Sequence, residues 1–194
     1  MSNPTLREWL KRETRVAHHQ VDQHPALKLL LSRELTVAKY ATALSALYAP
    51  IASLEQALSS GLQAHAMDYR LMQREPLLKA DIQRLGRRVA SVPLAPLPTS
   101  PANTVGMLYV LEGSRLGGAM IARHVESVLG RQVPLQFLTA HPLTGEQWAA
   151  FWHFAEYRCP LSTWPAVLAG AQQAFERFTL DLAAFAGPNP VPIE

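Results

Sequence analysis

Two adjacent histidines near the start of the chain lie in the run Leu10-Lys11-Arg12-Glu13-Thr14-Arg15-Val16-Ala17-His18-His19-Gln20-Val21-Asp22. Wound as an α-helix at ~100° per residue, this run gathers Leu6, Leu10, Ala17 and Val21 into one apolar stripe. His18 then projects ~90° from the centre of the stripe and His19 ~170°. The spacing therefore predicts His18 at the rim of the buried face and His19 in solvent. Thr14 at i−4 and Asp22 at i+4 are its neighbours on the helix, and Lys11 lies two turns earlier on nearly the same line. An imidazole that binds a metal must be neutral and oriented by an acceptor on its other ring nitrogen. Asp22, directly or through water, or a backbone carbonyl can be that acceptor, and Lys11 can pair with an anionic group at a ligand's edge. The same residues also read as an ordinary solvated histidine on a Lys/Asp surface. His24, His65, His124, His141 and His153 form no i,i+4 pair, which argues against a dedicated zinc or di-iron site.

The second chemically unusual segment is Gly106-Met107-Leu108-Tyr109-Val110-Leu111-Glu112-Gly113-Ser114-Arg115-Leu116-Gly117-Gly118. Glycine inside a helix costs ~1 kcal/mol against alanine, so four of them in this short span need a reason. Gly106, Gly113 and Gly117 fall within ~40° of one another on an ideal helix, giving a stripe of bare backbone. Close helix–helix packing uses such stripes. A flat cofactor lying on a bent helix would use them equally well. A phosphate-binding loop is excluded, because the Gly-x-x-x-x-Gly-Lys pattern and its preceding strand are absent.

Helical periodicity dominates the elements that must carry these segments. Helices are predicted over about 5–23, 35 to the Ser59-Ser60-Gly61 break, 76–86, 100–129, 144–157 and 162–185, with a short helix possible before residue 76. Pro25 stops the first. Ser100 caps the fourth with Pro101 at its first position, and Gly130 ends it. Thr144 and Gln147 form a capping box. The proline-rich 92–98 stretch reads as a loop. The fold class is thus all-α, a single-domain bundle of about six or seven helices spanning residues 1–187, followed by a tail, 188–194.

Composition agrees. The chain has 194 residues, 48% hydrophobic and 17% charged, with a formal net charge of +3. That length buries roughly 70% of the unfolded surface, enough for a real core. The basic residues are scattered, which speaks against nucleic acid, and a weak positive field suits an anionic small ligand or an acidic redox partner. No apolar run approaches the ~18 residues of a membrane span and no signal-peptide core is visible, so a cytoplasmic protein that does not engage membranes is expected. The single cysteine, Cys159, rules out an internal disulfide and a covalent c-type haem motif.

Taken together, the two segments resemble the haem oxygenase family. Leu10-Lys11-x-x-Thr14-x-x-x-His18-x-x-x-Asp22 resembles the family's proximal helix. Tyr109-Val110-Leu111-Glu112-Gly113-Ser114-x-Leu116-Gly117-Gly118 is similar to the distal helix of bacterial members, above all the biliverdin-forming group associated with bacterial phytochromes. The resemblance implies a haem oxygenase-like bundle in which His18 is the axial iron ligand and Lys11 meets a haem propionate. It puts Thr14, Ala17 and Asp22 on the proximal face, and Gly113, Ser114, Gly117 and Gly118 on the distal face. Phe175 resembles a pocket aromatic, and Tyr109 and Arg177 are carried as further haem-edge residues. One departure stands out: the distal aspartate of animal members is replaced by Ser114, with Glu112 two residues earlier.

The implied reaction consumes haem b, at once cofactor and substrate, with O2 and electrons from a reductase or ferredoxin-type donor. It yields biliverdin, ferrous iron and carbon monoxide, and the resemblance to phytochrome-associated members implies a bacteriophytochrome as a partner that receives the biliverdin. The alternative from a different class is a non-enzymatic haem-binding storage or transfer protein built on the same His18. A thiaminase-like enzyme of similar helical architecture would need a cysteine nucleophile with carboxylate help, a setting that Cys159-Pro160 lacks.

Overall fold

The structure, a computed structural model, describes residues 4–89 and 100–185. The 92–98 loop and the 187/188 boundary expected from the sequence lie outside the described residues. Ten helical segments follow in order: α1 (Leu6–Glu13), α2 (Arg15–Asp22), α3 (Pro25–Lys28), α4 (Val37–Ala64), α5 (Glu75–Arg84), α6 (Pro101–Gly113), α7 (Gly118–Leu129), α8 (Gln136–Thr139), α9 (Gly145–Arg158) and α10 (Trp164–Ala184). Tight i→i+3 helical turns at Leu29–Leu31 and Leu161–Thr163 complete the set, and no strand occurs among the described residues.

The bundle is all-α, and its segments exceed the expected helices for physical reasons. The first helix is interrupted at Thr14 (φ −92°, ψ −1°). The glycine helix is interrupted over 114–117. The one-turn helices α3 and α8 are too short to leave a periodic signal. No helix forms between α4 and α5. Conversely, α4 runs through Ser59-Ser60-Gly61 to Ala64. Gly61 and Leu62 are both buried there, so packing overrides the poor local propensity. The capping boxes at Thr5/Glu8 and Thr144/Gln147 are both formed, and Ser100 accepts from the Asn103 amide to start α6.

Helix α4 is the central strut. Its Tyr40, Leu44, Leu54 and Leu58 are fully enclosed, together with Leu108 of α6 and Val167 of α10. α10 packs along both α6 and α2, so one helix forms a wall common to the histidine and glycine segments. Its contact with α6 is backbone-close. A Cβ on Gly106 would stand 2.0 Å from the Val167 carbonyl oxygen, and one on Gly170 2.1 Å from that of Asn103. No helix among the described residues is long and apolar enough to cross a membrane.

Candidate functional site

On the histidine side, Leu6 and Leu10 anchor α1 in the core, and the Thr14 hydroxyl donates to the Leu10 carbonyl at 2.8 Å. Backbone bonds from Thr14 N to Leu10 O and from His18 N to Thr14 O carry the helical path across the interruption, so His18 stays one turn beyond Thr14. Its Nδ1 lies 2.8 Å from the Asp22 carboxylate, with the side chains 62% and 57% exposed. Asp22 can only accept, so Nδ1 carries a hydrogen, and in the neutral ring Nε2 keeps its lone pair. The imidazole stands edge-on to Phe175 of α10, ring centroids 5.9 Å apart at 70°. Ala17 is partly buried against the core, while His19 and Lys11 are exposed.

On the glycine side, α6 ends at Gly113 and the chain tightens. Arg115 N bonds to Glu112 O, Leu116 N to Gly113 O and Gly118 N to Arg115 O. These i→i−3 bonds replace the i→i−4 ladder until α7 begins. The four glycines prove unequal. A Cβ on Gly113 would meet only the Trp148 ring edge at 3.9 Å, and one on Gly117 only the tip of Ile121 at 3.9 Å. Gly106 serves the α6–α10 contact instead, and a Cβ on Gly118 would come within 2.8 Å of the Leu138 carbonyl oxygen. Gly118 is therefore better explained by its approach to α8 than by an open face.

The two sides meet at one hydrogen bond. The Thr14 and Tyr109 hydroxyl oxygens are 3.2 Å apart. Since Thr14 spends its hydrogen on Leu10, Tyr109 is the donor. His18 and Gly113 each stand one turn beyond this contact, ~6 Å along their own helices. The residues suit an iron-centred planar group: one imidazole nitrogen with an unused lone pair, an aromatic wall, and two glycines whose Cβ directions are unobstructed by backbone.

Other expected site residues are otherwise engaged. Tyr109 is bound to Thr14. Arg177 is paired with Asp181 at 2.8 Å, the side chains only 20% and 10% exposed. The Ser114 hydroxyl donates to Leu111 O at 2.6 Å and accepts from Arg74 Nη2 at 2.8 Å. Glu112 is buried in an ion pair with Arg115, whose Nε donates to His141 O at 3.0 Å. Sequence reasoning missed Arg74 and Trp148. Trp148 stacks on Phe151 at 5.1 Å and 8° and lies against Tyr109. The i, i+3, i+4 aromatic run Trp148, Phe151, Trp152 was the signal available for it. Arg74 left none, because its partners are distant in sequence.

No protein-family model matches the chain. A heme oxygenase of Xanthomonas campestris pv. campestris (strain 8004) is 35% identical over 153 residues, which cover 77% of this chain and 92% of that protein. Among solved structures, the NO- and CO-bound heme oxygenase of Neisseria meningitidis superposes with a TM-score of 0.72 at 20% identity, covering 98% of this chain and 99% of that one. The heme oxygenase of Leptospira interrogans gives 0.68 at 16%, covering 93% and 100%. Heme oxygenase-1 of Synechocystis sp. PCC6803, solved in complex with heme, gives 0.62 at 15%, covering 94% and 93%.

Proposed function

The chain belongs to the haem oxygenase family and is an oxidoreductase that opens haem to biliverdin with release of ferrous iron and carbon monoxide, and we propose that it holds haem between the His18 imidazole and the bare backbone at Gly113 and Gly117. The observation that carries this reading is the His18–Asp22 contact of 2.8 Å, which leaves Nε2 as the ring's one available lone pair. Haem supplies the iron chemistry and is itself the molecule consumed.

The protein's part is to bind, orient and exclude. Asp22 fixes the imidazole tautomer and ring orientation. Phe175 sets the ring's azimuth from α10. A neutral imidazole donates less electron density than a thiolate, which suits oxidation of the porphyrin itself. Thr14 and Ala17 line the same face, and Lys11 meets a propionate. Gly113 and Gly117 keep side chains off the opposite face, so the backbone there restricts which meso carbon is open to attack. Dioxygen and an external electron donor, a reductase or a ferredoxin, complete the reaction. The likeness of the Tyr109–Gly118 segment to phytochrome-associated members supports a bacteriophytochrome as acceptor of the biliverdin.

The test is aerobic turnover with a reductant. Haem-loaded protein is expected to lose its Soret band as a biliverdin absorption grows. His18→Ala is expected to lose the imidazole-ligated spectrum, and His19→Ala to keep it. A Soret band that persists under reductant in air would overturn the oxygenase reading. An unchanged spectrum in His18→Ala would overturn the ligand assignment alone.

A further inference from the structure

The switch from i→i−4 to i→i−3 bonding at the end of α6 takes the amide away from the Leu111 carbonyl. Arg115 N, the natural partner of Leu111 O, bonds to Glu112 O instead. Leu111 O is buried with its residue, and such a group must find another donor. It receives two: the Ser114 hydroxyl at 2.6 Å and Arg74 Nη2 at 3.3 Å. The same Nη2 donates to Ser114 Oγ at 2.8 Å. Arg74 lies just before α5, is 4% exposed, and sits over the Phe137 ring with its guanidinium carbon 5.1 Å from the centroid.

A buried guanidinium normally faces a carboxylate. Both nearby carboxylates are occupied elsewhere. Glu55 uses its two oxygens on the backbone amides of Arg74 and Glu75 at 2.8 and 2.9 Å, and Glu112 is taken by Arg115. Arg74 Nε has no partner. The charge therefore points at the carbonyl end of α6, where the helix dipole is negative. Glu55 holds the backbone of Arg74 from α4, and Phe137 supports it from α8.

We propose that Arg74 is a positioning residue for the distal wall: by holding Leu111 O and Ser114 Oγ it keeps the chain in the i→i−3 turn that presents Gly113 and Gly117 as bare backbone. The inference rests on the haem-binding reading of those glycines, yet its first readout does not. In the apo protein, Arg74→Met and Ser114→Ala are expected to raise amide hydrogen exchange across residues 113–118 at least ~10-fold, while amides in the α4 core stay protected. In the haem-loaded protein the same variants are expected to bind haem through His18 with an unchanged axial-ligand spectrum, but to give a broader mixture of biliverdin regioisomers than the parent.

Exchange over 113–118 equal to the parent in Ser114→Ala would overturn the proposal, as would a rise spread evenly over every helix. Should Arg74→Met fail to fold, Ser114→Ala decides, since Ser114 is exposed and its loss still leaves Arg74 Nη2 its bond to Leu111 O. Altered exchange with an unaltered isomer ratio would also overturn it, because the turn would then matter to the fold and not to the wall. Failure of the haem reading itself would show separately, as loss of ordered haem binding in the parent.

Discussion

Tyr109 donates its hydroxyl hydrogen to Thr14 Oγ1 across 3.2 Å, while Thr14 donates onward to Leu10 O at 2.8 Å. This two-bond chain joins the histidine helix to the glycine helix at the point from which His18 and Gly113 are each one turn away. Tyr109 is otherwise packed among aromatic rings, 5.6 Å from Trp152 and 6.2 Å from Trp148. Tyr109→Phe keeps that packing and removes only the tether. A neutral hydrogen bond contributes about 1 kcal/mol, which at this chain length lowers Tm by ~2–4 °C. Haem affinity is expected to fall as well, since the two walls lose their common reference. A Tm drop with unaltered haem affinity would reduce the tether to a fold contact.

The glycines separate packing from ligand contact in one comparison. A Cβ at Gly106 would lie 2.0 Å from the Val167 carbonyl oxygen, whereas at Gly113 it would meet a ring edge at 3.9 Å. Gly106→Ala must therefore push α6 and α10 apart, and a loss of at least ~1–3 kcal/mol is expected from overpacking. Gly113→Ala should leave the apo protein as stable or slightly more so, because alanine is the better helix former by up to ~1 kcal/mol. Its cost should appear only with haem, as weaker binding or a changed isomer ratio. Thermal melts of both apo variants beside haem titrations check this. Equal destabilisation of the two apo proteins would refute the division of roles.

How far the sequence carried this site depends on the range of the interactions involved. His18 and His19 are both exposed, yet it is His18 that reaches Phe175 of α10, a difference legible because it needs only the turn of one helix. The Thr144/Gln147 box was legible because both partners lie within one turn. Gly106 and Gly113 were indistinguishable because they share a stripe, and only the partner across the gap, α10 or open space, separates them. The break after Gly113 was hidden for the same reason. Its partner, Arg74, is supplied from the connection between α4 and α5. Arg177 shows the opposite range, since its carboxylate partner, Asp181, lies at i+4 on its own helix.

Asp81 gives a pH-dependent check on the platform beneath the glycine turn. It is 0% exposed and accepts from Phe137 N at 2.8 Å, at the start of α8, while its other oxygen has no partner. Burial pushes its carboxyl above the ordinary 3.8 despite the amide bonds that oppose it. A carboxyl whose folded value is raised binds its proton more tightly in the folded state. Its contribution is therefore fully present below 3.8 and lost as pH rises through the raised folded value. Asp81→Asn keeps an acceptor for Phe137 and removes the titration. The Tm of the parent minus that of the variant should fall as pH is raised from acid to neutrality. A difference that grows with pH would mean that the anion is favoured at the α8 terminus and that the burial account fails.

Lys11, assigned to a propionate by resemblance, and Arg177, carried as a further haem-edge residue, should behave oppositely. Lys11 is exposed on α1 and makes no ion pair among the described residues. Lys11→Ala should change stability by no more than ~0.5 kcal/mol. If Lys11 meets a propionate, an exposed ion pair of up to ~1 kcal/mol is lost, and the haem dissociation constant rises roughly fivefold. Arg177 is instead bonded to Asp181 with both side chains largely enclosed, and burial already raises the Asp181 carboxyl. Arg177→Met strands that carboxylate, for which a loss on the order of 1–3 kcal/mol is expected, below the ~3–5 of a fully buried pair. Restoring neutrality with Asp181→Asn in the same chain should recover part of it, while haem affinity stays near the parent value. Denaturant melts of the apo variants and haem titrations at fixed salt measure both quantities. An Arg177→Met protein of parental stability but weakened haem binding would return Arg177 to the ligand.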